Sequence, residues 1–315
     1  MGMLQDRSRR WIRRMNLMLH PPADAVWAIG MLAGPSPFAL HPVRGIRNPV
    51  LTARDVDDVR AGLVADPFLI REGDGWRMFF EVYDLDAGLG RIATASSPDA
   101  LRWKYGGVVL SEPFHLSYPH VFRAEDRWFM IPETHQCGEV RLYETCGYSW
   151  QWRHAATLLE GRPFVDATPF FHGGEWWMFA STGKPGHWYC GELHLFHAGH
   201  PGGPWRGHPW NPVVSGTRRD SRPAGRVIAH EGGLFRFSQD CRRVYGRSVS
   251  AHRIDHIDSV CYYETLARRG ILDGVESADW NSGGMHHLDA CERVDGGWLA
   301  CFDGWCPGAV GVPSA

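Results

Sequence analysis

The chain has 315 residues, 44% hydrophobic and 22% charged, the balance of a soluble globular protein with one large core or two ordinary ones. Lys plus Arg number 33 against 35 Asp plus Glu, so no global field favours nucleic acid as a partner. The 37 Gly and 21 Pro give a turn density that excludes a long helix-rich domain.

Residues 4–19 have helical periodicity: Leu4, Trp11, Ile12, Met15, Met18 and Leu19 share a face, with Arg7, Arg10, Arg13 and Arg14 mostly opposite. The spacing predicts an N-terminal helix, either packed on the body of the protein, the expected case, or in peripheral contact with anionic lipid. His20-Pro21-Pro22 ends it, which sets the expected division into a helix and linker over 1–24 and a main domain over 25–315. Ala25 to Leu32 then reads as a strand.

From Leu63 onward the chain repeats itself. The segments DPFLIREGDGWRMFFE from Asp66, YPHVFRAEDRWFMIPE from Tyr118, TPFFHGGEWWMFAST from Thr168 and RPAGRVIAHEGGLFRFSQD from Arg222 share one grammar of strand, tight turn and aromatic strand. They align on Pro67, Pro119, Pro169 and Pro223, which are 52, 50 and 54 residues apart, and a degenerate copy starts at His286. The first three copies are each followed by a third strand, a Trp (Trp103, Trp152, Trp205) and a fourth strand. Four short strands at a period of roughly 50 residues make one propeller blade. The expected fold is therefore all-β, a five-bladed β-propeller, with Ala25–Leu32 completing the last blade.

In such a blade the first strand lines the central channel, and its start shares a mouth with the end of the second strand. Strand starts contribute Asp66, Tyr118, Asp166, Arg222 and His286 or His287, with His120 nearby; strand ends contribute Glu81, Glu133, Asp240 and Asp303. Carboxylates crowded in a partly dry funnel have their pKa values pushed apart, as acid–base chemistry on a glycosidic bond requires. The same acids could instead cap backbone N–H groups between blades. Arg222 would suit a carboxylated or phosphorylated sugar through a bidentate contact. Trp, present 15 times, serves either as a blade core residue or as a sugar-stacking face.

None of the eight Cys shows C-x2-C spacing, no run of 18 apolar residues exists, and no secretory apolar core precedes a cleavage site. The expectation is free thiols, no structural metal, no cofactor and a cytoplasmic location.

The series VADPF…FFE, LSYPHVF…MIPET, VDATPFF…WWMF, SRPAGRVI…FSQDC and VYGRSV resembles the N-terminal domain of glucosamine inositolphosphorylceramide transferases and its stand-alone bacterial relatives. More distantly it is similar to the five-bladed propeller glycosidases of family 43 and its clan. That resemblance implies Asp66 as general base or nucleophile and Asp166 as the second, tuning carboxylate. It also implies a general-acid Glu where this chain carries Ser221-Arg222-Pro223, so Glu133 or Asp240 would have to supply the acid. A cation such as calcium in the central channel, facing His286 or His287, is allowed by the same resemblance. Two functions are thus expected in competition. One is a glycoside hydrolase acting on a cell-envelope or capsular glycan or a glycolipid intermediate. The other is a non-catalytic glycan-binding propeller that assists a glycosyltransferase.

Overall fold

The computed structural model describes residues 24–145, 150–183, 190–242, 244–274 and 279–308. The helix expected over 4–19 lies outside the described residues. Five antiparallel sheets form five blades. The first holds Ala61–Glu72, Gly75–Asp84, Leu89–Ser97 and Lys104–Leu110 in that order, and the second Ser117–Ala124, Arg127–Glu133, Glu139–Thr145 and Trp152–Glu160. The third starts from Val165–His172 and the fourth from the short Arg222–Pro223 and Ile228–His230. In the fifth, Leu288–Glu292 and Trp298–Cys306 come from the end of the chain and Val26–Ser36 from its beginning. Val26–Ser36 runs antiparallel to Trp298–Cys306 in an unbroken register from Val26 opposite Cys306 to Gly34 opposite Trp298. The strand expected to lock the ring does so.

The core lies between blades. One buried cluster joins Phe79 and Ile92 of the first blade to Met130 and Tyr143 of the second; another joins Ile131 and Leu142 to Met178 and Phe196. Clusters also span the third and fourth blades and the fourth and fifth. The closing cluster sets Ile29 and Met31 of the lock strand against Leu69, Met78 and Phe80 of the first blade. Every blade-to-blade boundary thus has its own apolar filling, and each fully buried Phe, Met or Leu contributes about 1.5–3 kcal/mol. The Trp repeated after the third strand belongs to this packing. Trp152 is buried, and the indole N–H groups of Trp103 and Trp205 donate to the carbonyls of Ala100 and Pro201, pinning the loops before them.

Proline alignment places the third blade two residues out of step. Ala65 pairs with Glu81 and Phe68 with Phe79, Ser117 with Glu133 and His120 with Ile131, Val165 with Ser181 and Thr168 with Phe179. Ala167, not Pro169, is therefore the counterpart of Pro67 and Pro119. Among the described residues no helix is long and apolar enough to cross a membrane.

Candidate active site at the channel mouth

The paired registers each skip two residues: Asp66-Pro67, Tyr118-Pro119 and Asp166-Ala167. These are bulges in three consecutive inner strands. Their first residues take φ of 53°, 44° and 52° respectively, the left-handed region that costs a residue with a Cβ about 1–2 kcal/mol. The bulges are held by carboxylates of neighbouring blades. Asp66 N–H donates to Asp303 Oδ2 at 2.9 Å, and Tyr118 N–H donates to Asp66 Oδ2 at 3.2 Å. The bulge keeps Asp166 in the position of Asp66 despite the shifted proline.

A cavity of about 530 Å³ opens at this mouth. Of the residues the sequence singles out, Asp66, Glu81, Glu133, Arg222 and His286 line it. Trp27, His115, His135 and Tyr245 join them, and sequence reasoning missed these four. His135 was within reach of a closer reading, two residues after Glu133 in the same strand exit; Trp27 comes from the lock strand, where nothing local marks it.

The other nominated residues stand elsewhere. Asp166 is behind the wall, in a bidentate pair with Arg222 at 2.5 and 3.2 Å, and also accepts from Gln239 at 3.0 Å. The fork that was expected to grip a sugar anion thus grips Asp166. Tyr118 is fully buried, its hydroxyl 2.9 Å from Thr168 Oγ1 and accepting the N–H of Gly225 at 2.8 Å. His120 and His287 lie deeper in the channel against Phe68. Burial pushes both imidazoles down, His287 to about 4, so they are neutral. Asp240 does not reach the cavity: its carboxylate is taken by Arg219 at 3.1 Å and Arg242 at 2.8 Å.

Asp303 organises the mouth. It accepts from the backbone N–H groups of His286, His287 and Asp66 and from His286 Nδ1 at 2.7 Å. Burial pushes its carboxyl up, but His286 and His287 outweigh that and hold it below the ordinary range. Burial would lower His286, yet Asp303 and Asp66 raise it. Asp66, His286 and Asp303 bring one ligand atom each within 4.8 Å of one another. Calcium takes roughly six to eight oxygen ligands, whereas His286 Nδ1 and the Asp303 carboxylate are already spent on each other. The donor set suits a carboxylate–imidazole–carboxylate relay better than the channel calcium that the sequence allowed.

The remaining carboxyls differ in protonation. Burial, opposed by His286 and aided by Asp303 and Asp166, pushes Asp66 up to about 7. Burial and then Asp66 and Glu133 push Glu81 well above its ordinary value. Burial would raise Glu133 too, but hydrogen bonds from His135 and the charge on its ring bring it below. Both the ring Nδ1 and the backbone N–H of His135 lie 2.6 Å from Glu133 Oε1. One side of the cavity is aromatic: Trp27 and His286 rings lie 4.6 Å apart, and Arg222 stacks over Tyr245 at 5.0 Å.

These features define a five-bladed propeller with an acid-lined, aromatic-walled mouth. Residues 20–305 match the family described as "Glucosamine inositolphosphorylceramide transferase 1, N-terminal", and the chain belongs to that family. It is 34% identical over 302 residues to glucosamine inositolphosphorylceramide transferase 1 of Oryza sativa subsp. japonica, covering 90% of this chain and 40% of that protein. The Arabidopsis thaliana protein of the same name is 30% identical over 302 residues, with 89% and 39% covered. The chain thus spans about two fifths of the length of these curated relatives. Among solved structures, the chain is similar in fold to a thermostable family-43 glycoside hydrolase (TM-score 0.51, 17% identity, 66% of this chain and 76% of that one). It is also similar to a family 117 glycoside hydrolase of Zobellia galactanivorans (TM-score 0.53, 14% identity, 79% and 87%). A third is an exo-β-1,3-galactanase from Clostridium thermocellum (TM-score 0.54, 14% identity, 68% and 51%).

Proposed function

We propose that the mouth is a glycan-processing site in which Glu81 protonates a glycosidic oxygen and Glu133 takes a proton from the attacking water. One observation carries this reading: Glu81 and Glu133 occupy the same position of adjacent blades, line one cavity, and are driven in opposite directions in protonation. Two titratable groups pushed apart in this way supply an acid and a base at one pH. In the reaction the C–O bond to the leaving sugar breaks as its oxygen gains the Glu81 proton. The water oxygen bonds to the anomeric carbon and gives its proton to Glu133. Asp66, the base that the family-43 resemblance implies, lines the same cavity, and burial pushes its carboxyl up to about 7. Trp27 and Tyr245 offer faces for the sugar.

A mouth lined by the carboxyl oxygens of Asp66, Glu81 and Glu133, with Arg222 taken up by Asp166, favours a sugar rich in donors, such as an amino sugar. Glucosamine, named in the relatives, carries an ammonium group. The substrate class we infer is a glucosamine-bearing glycan or glycolipid headgroup, handled beside a glycosyltransferase partner in the cytoplasm. A second reading, a non-catalytic glycan-binding module serving a transferase, is favoured by Arg222 standing where the family-43 resemblance expects the general acid. The test is a panel of aryl glycosides, glucosaminides and glucosaminyl-inositol phosphate, with release of sugar as the readout. Glu81→Gln and Glu133→Gln should each lower turnover by about 10²–10⁴, and Glu81→Gln should spare activated aryl leaving groups that need no protonation. Binding of glucosaminyl-inositol phosphate by calorimetry with no release from any member would replace the hydrolase with the binding module.

A further inference from the structure

Each of the two mouth glutamates is met by a histidine, and the two histidines are wired differently. His115, on the loop before the second blade, accepts the N–H of Gly90 at Nδ1, 2.9 Å away. That nitrogen must hold a lone pair, so the ring proton is on Nε2. A second proton would point at the Gly90 donor, which keeps this imidazole neutral; burial pushes it the same way. Its Nε2 lies 3.5 Å from Glu81 Oε1. His135 instead turns Nδ1 to Glu133 Oε1 at 2.6 Å. There Nδ1 carries the proton, and a positive ring is favoured because it faces an anion.

Gly90 permits the first arrangement. A Cβ at that position would lie 2.7 Å from His115 Cε1, 2.8 Å from Glu81 Oε1 and 2.2 Å from the Leu116 carbonyl. The charges ranged on Glu81 are Asp66 of its own blade, Glu133 of the next, and Asp303 and Asp166 across the channel. Facing Glu133 are the His135 ring, the neutral His115 and the Ser117 hydroxyl, which donates at 3.3 Å; the charges around His135 include Arg222 and Asp166.

We propose that His115 and His135 are positioning residues: the first decides which oxygen of Glu81 carries its proton, and the second keeps Glu133 ionised. His115, locked with its proton on Nε2, turns that N–H edge to Oε1 of Glu81 at 3.5 Å and so favours the carboxyl proton on Oε2. His135 holds Glu133 as the carboxylate. The assignment deepens the proposed acid–base roles and rests on them for its catalytic meaning, but its test does not need turnover.

The experiment is a carbon-13 NMR titration of the full chain with carboxyl-labelled glutamate, the two resonances being assigned by Glu81→Gln and Glu133→Gln. Wild type should show one midpoint above and one below the free value of about 4.3. His135→Gln keeps a donor but cannot be charged, and should raise the Glu133 midpoint by about one unit or more. His115→Phe removes the donor facing Oε1 and should move the Glu81 midpoint further up. Gly90→Ala, whose Cβ crowds the His115 ring and Glu81 Oε1 alike, should move Glu81 in the same direction and serves as the second check. A Glu133 midpoint unmoved by His135→Gln, or a Glu81 midpoint unmoved by both His115→Phe and Gly90→Ala, would overturn the assignment. If no glycan is cleaved yet both midpoints respond, the hydrolase reading fails and the histidine assignment stands.

Discussion

Arg222 shows how far a residue type can be read and where reading stops. Its position at the start of the fourth inner strand follows from the repeat, and so does its place in the wall. Its partner does not: Asp166 is 56 positions earlier, and only the third-blade bulge turns that carboxylate towards the guanidinium. Breaking a buried pair by removing one partner costs about 3–5 kcal/mol, because the other charge is left uncompensated. Arg222→Met should therefore lower the urea midpoint strongly, and adding Asp166→Asn to it should recover most of the loss. Recovery absent from urea unfolding curves would mean that Arg222 acts mainly through Tyr245 and the cavity wall. Glu81 and Glu133 were legible as equivalent strand ends. Their opposite protonation was not, since burial beside Asp66 raises Glu81, while His135, in the turn that follows Glu133 within the second blade, lowers Glu133.

The bulged inner strands are the elements the sequence hid best. Period-two alternation and aromatic return strands reveal each hairpin, but two skipped residues leave composition and alternation almost unchanged. The prolines misled for a physical reason. An inner strand is an edge strand, with one row of N–H groups facing the channel, and Pro is tolerated there at more than one position. Pro67 and Pro119 sit within bulges, whereas Pro169 sits in the ladder opposite Met178. In the fourth blade the inner strand breaks at Gly225, whose φ is +127° and whose Cβ would lie 1.9 Å from the Leu288 carbonyl oxygen. Arg226 beside it reaches across to Asp289 and the Leu69 carbonyl, tying three blades together. Gly225→Ala should destabilise by about 2–4 kcal/mol through backbone strain and overpacking. Gly296→Ala, at a positive φ with open space around it, should cost about 1 kcal/mol. Chemical denaturation of the two variants compares them directly.

At the scale of the molecule, ring closure and the buried acids set the stability. The blade count and the lock strand were legible because fixed-period copies leave one strand missing at the end and one spare at the start. Deleting residues 24–36 takes Ile29 and Met31 out of the closing cluster. Cooperative thermal unfolding should be lost, and a peptide of that segment added in trans should restore it. The acids make stability depend on pH in two directions. Asp66 has its carboxyl at about 7 when folded against about 3.9 unfolded. Its contribution is therefore fully present below about pH 4 and is lost as pH rises through 7. Glu133 and Asp303 are held low, so theirs is present above the ordinary carboxylate range and lost on acidification. Asp66→Asn should flatten the decline in melting temperature between pH 4 and 7 and leave the acid limb in place; calorimetry across that range reads both.

The pairing of Val26–Ser36 with Trp298–Cys306 also orders events in time. On the ribosome, Val26–Ser36 can pair early with Ala39–Pro42 and Leu51–Thr52, but its other edge must wait, open to mispairing, through the synthesis of four blades until Trp298–Cys306 is made. Asp303, which holds the Asp66 bulge, arrives on that same late strand. A chain that stops short of Trp298 therefore has blades but no finished mouth.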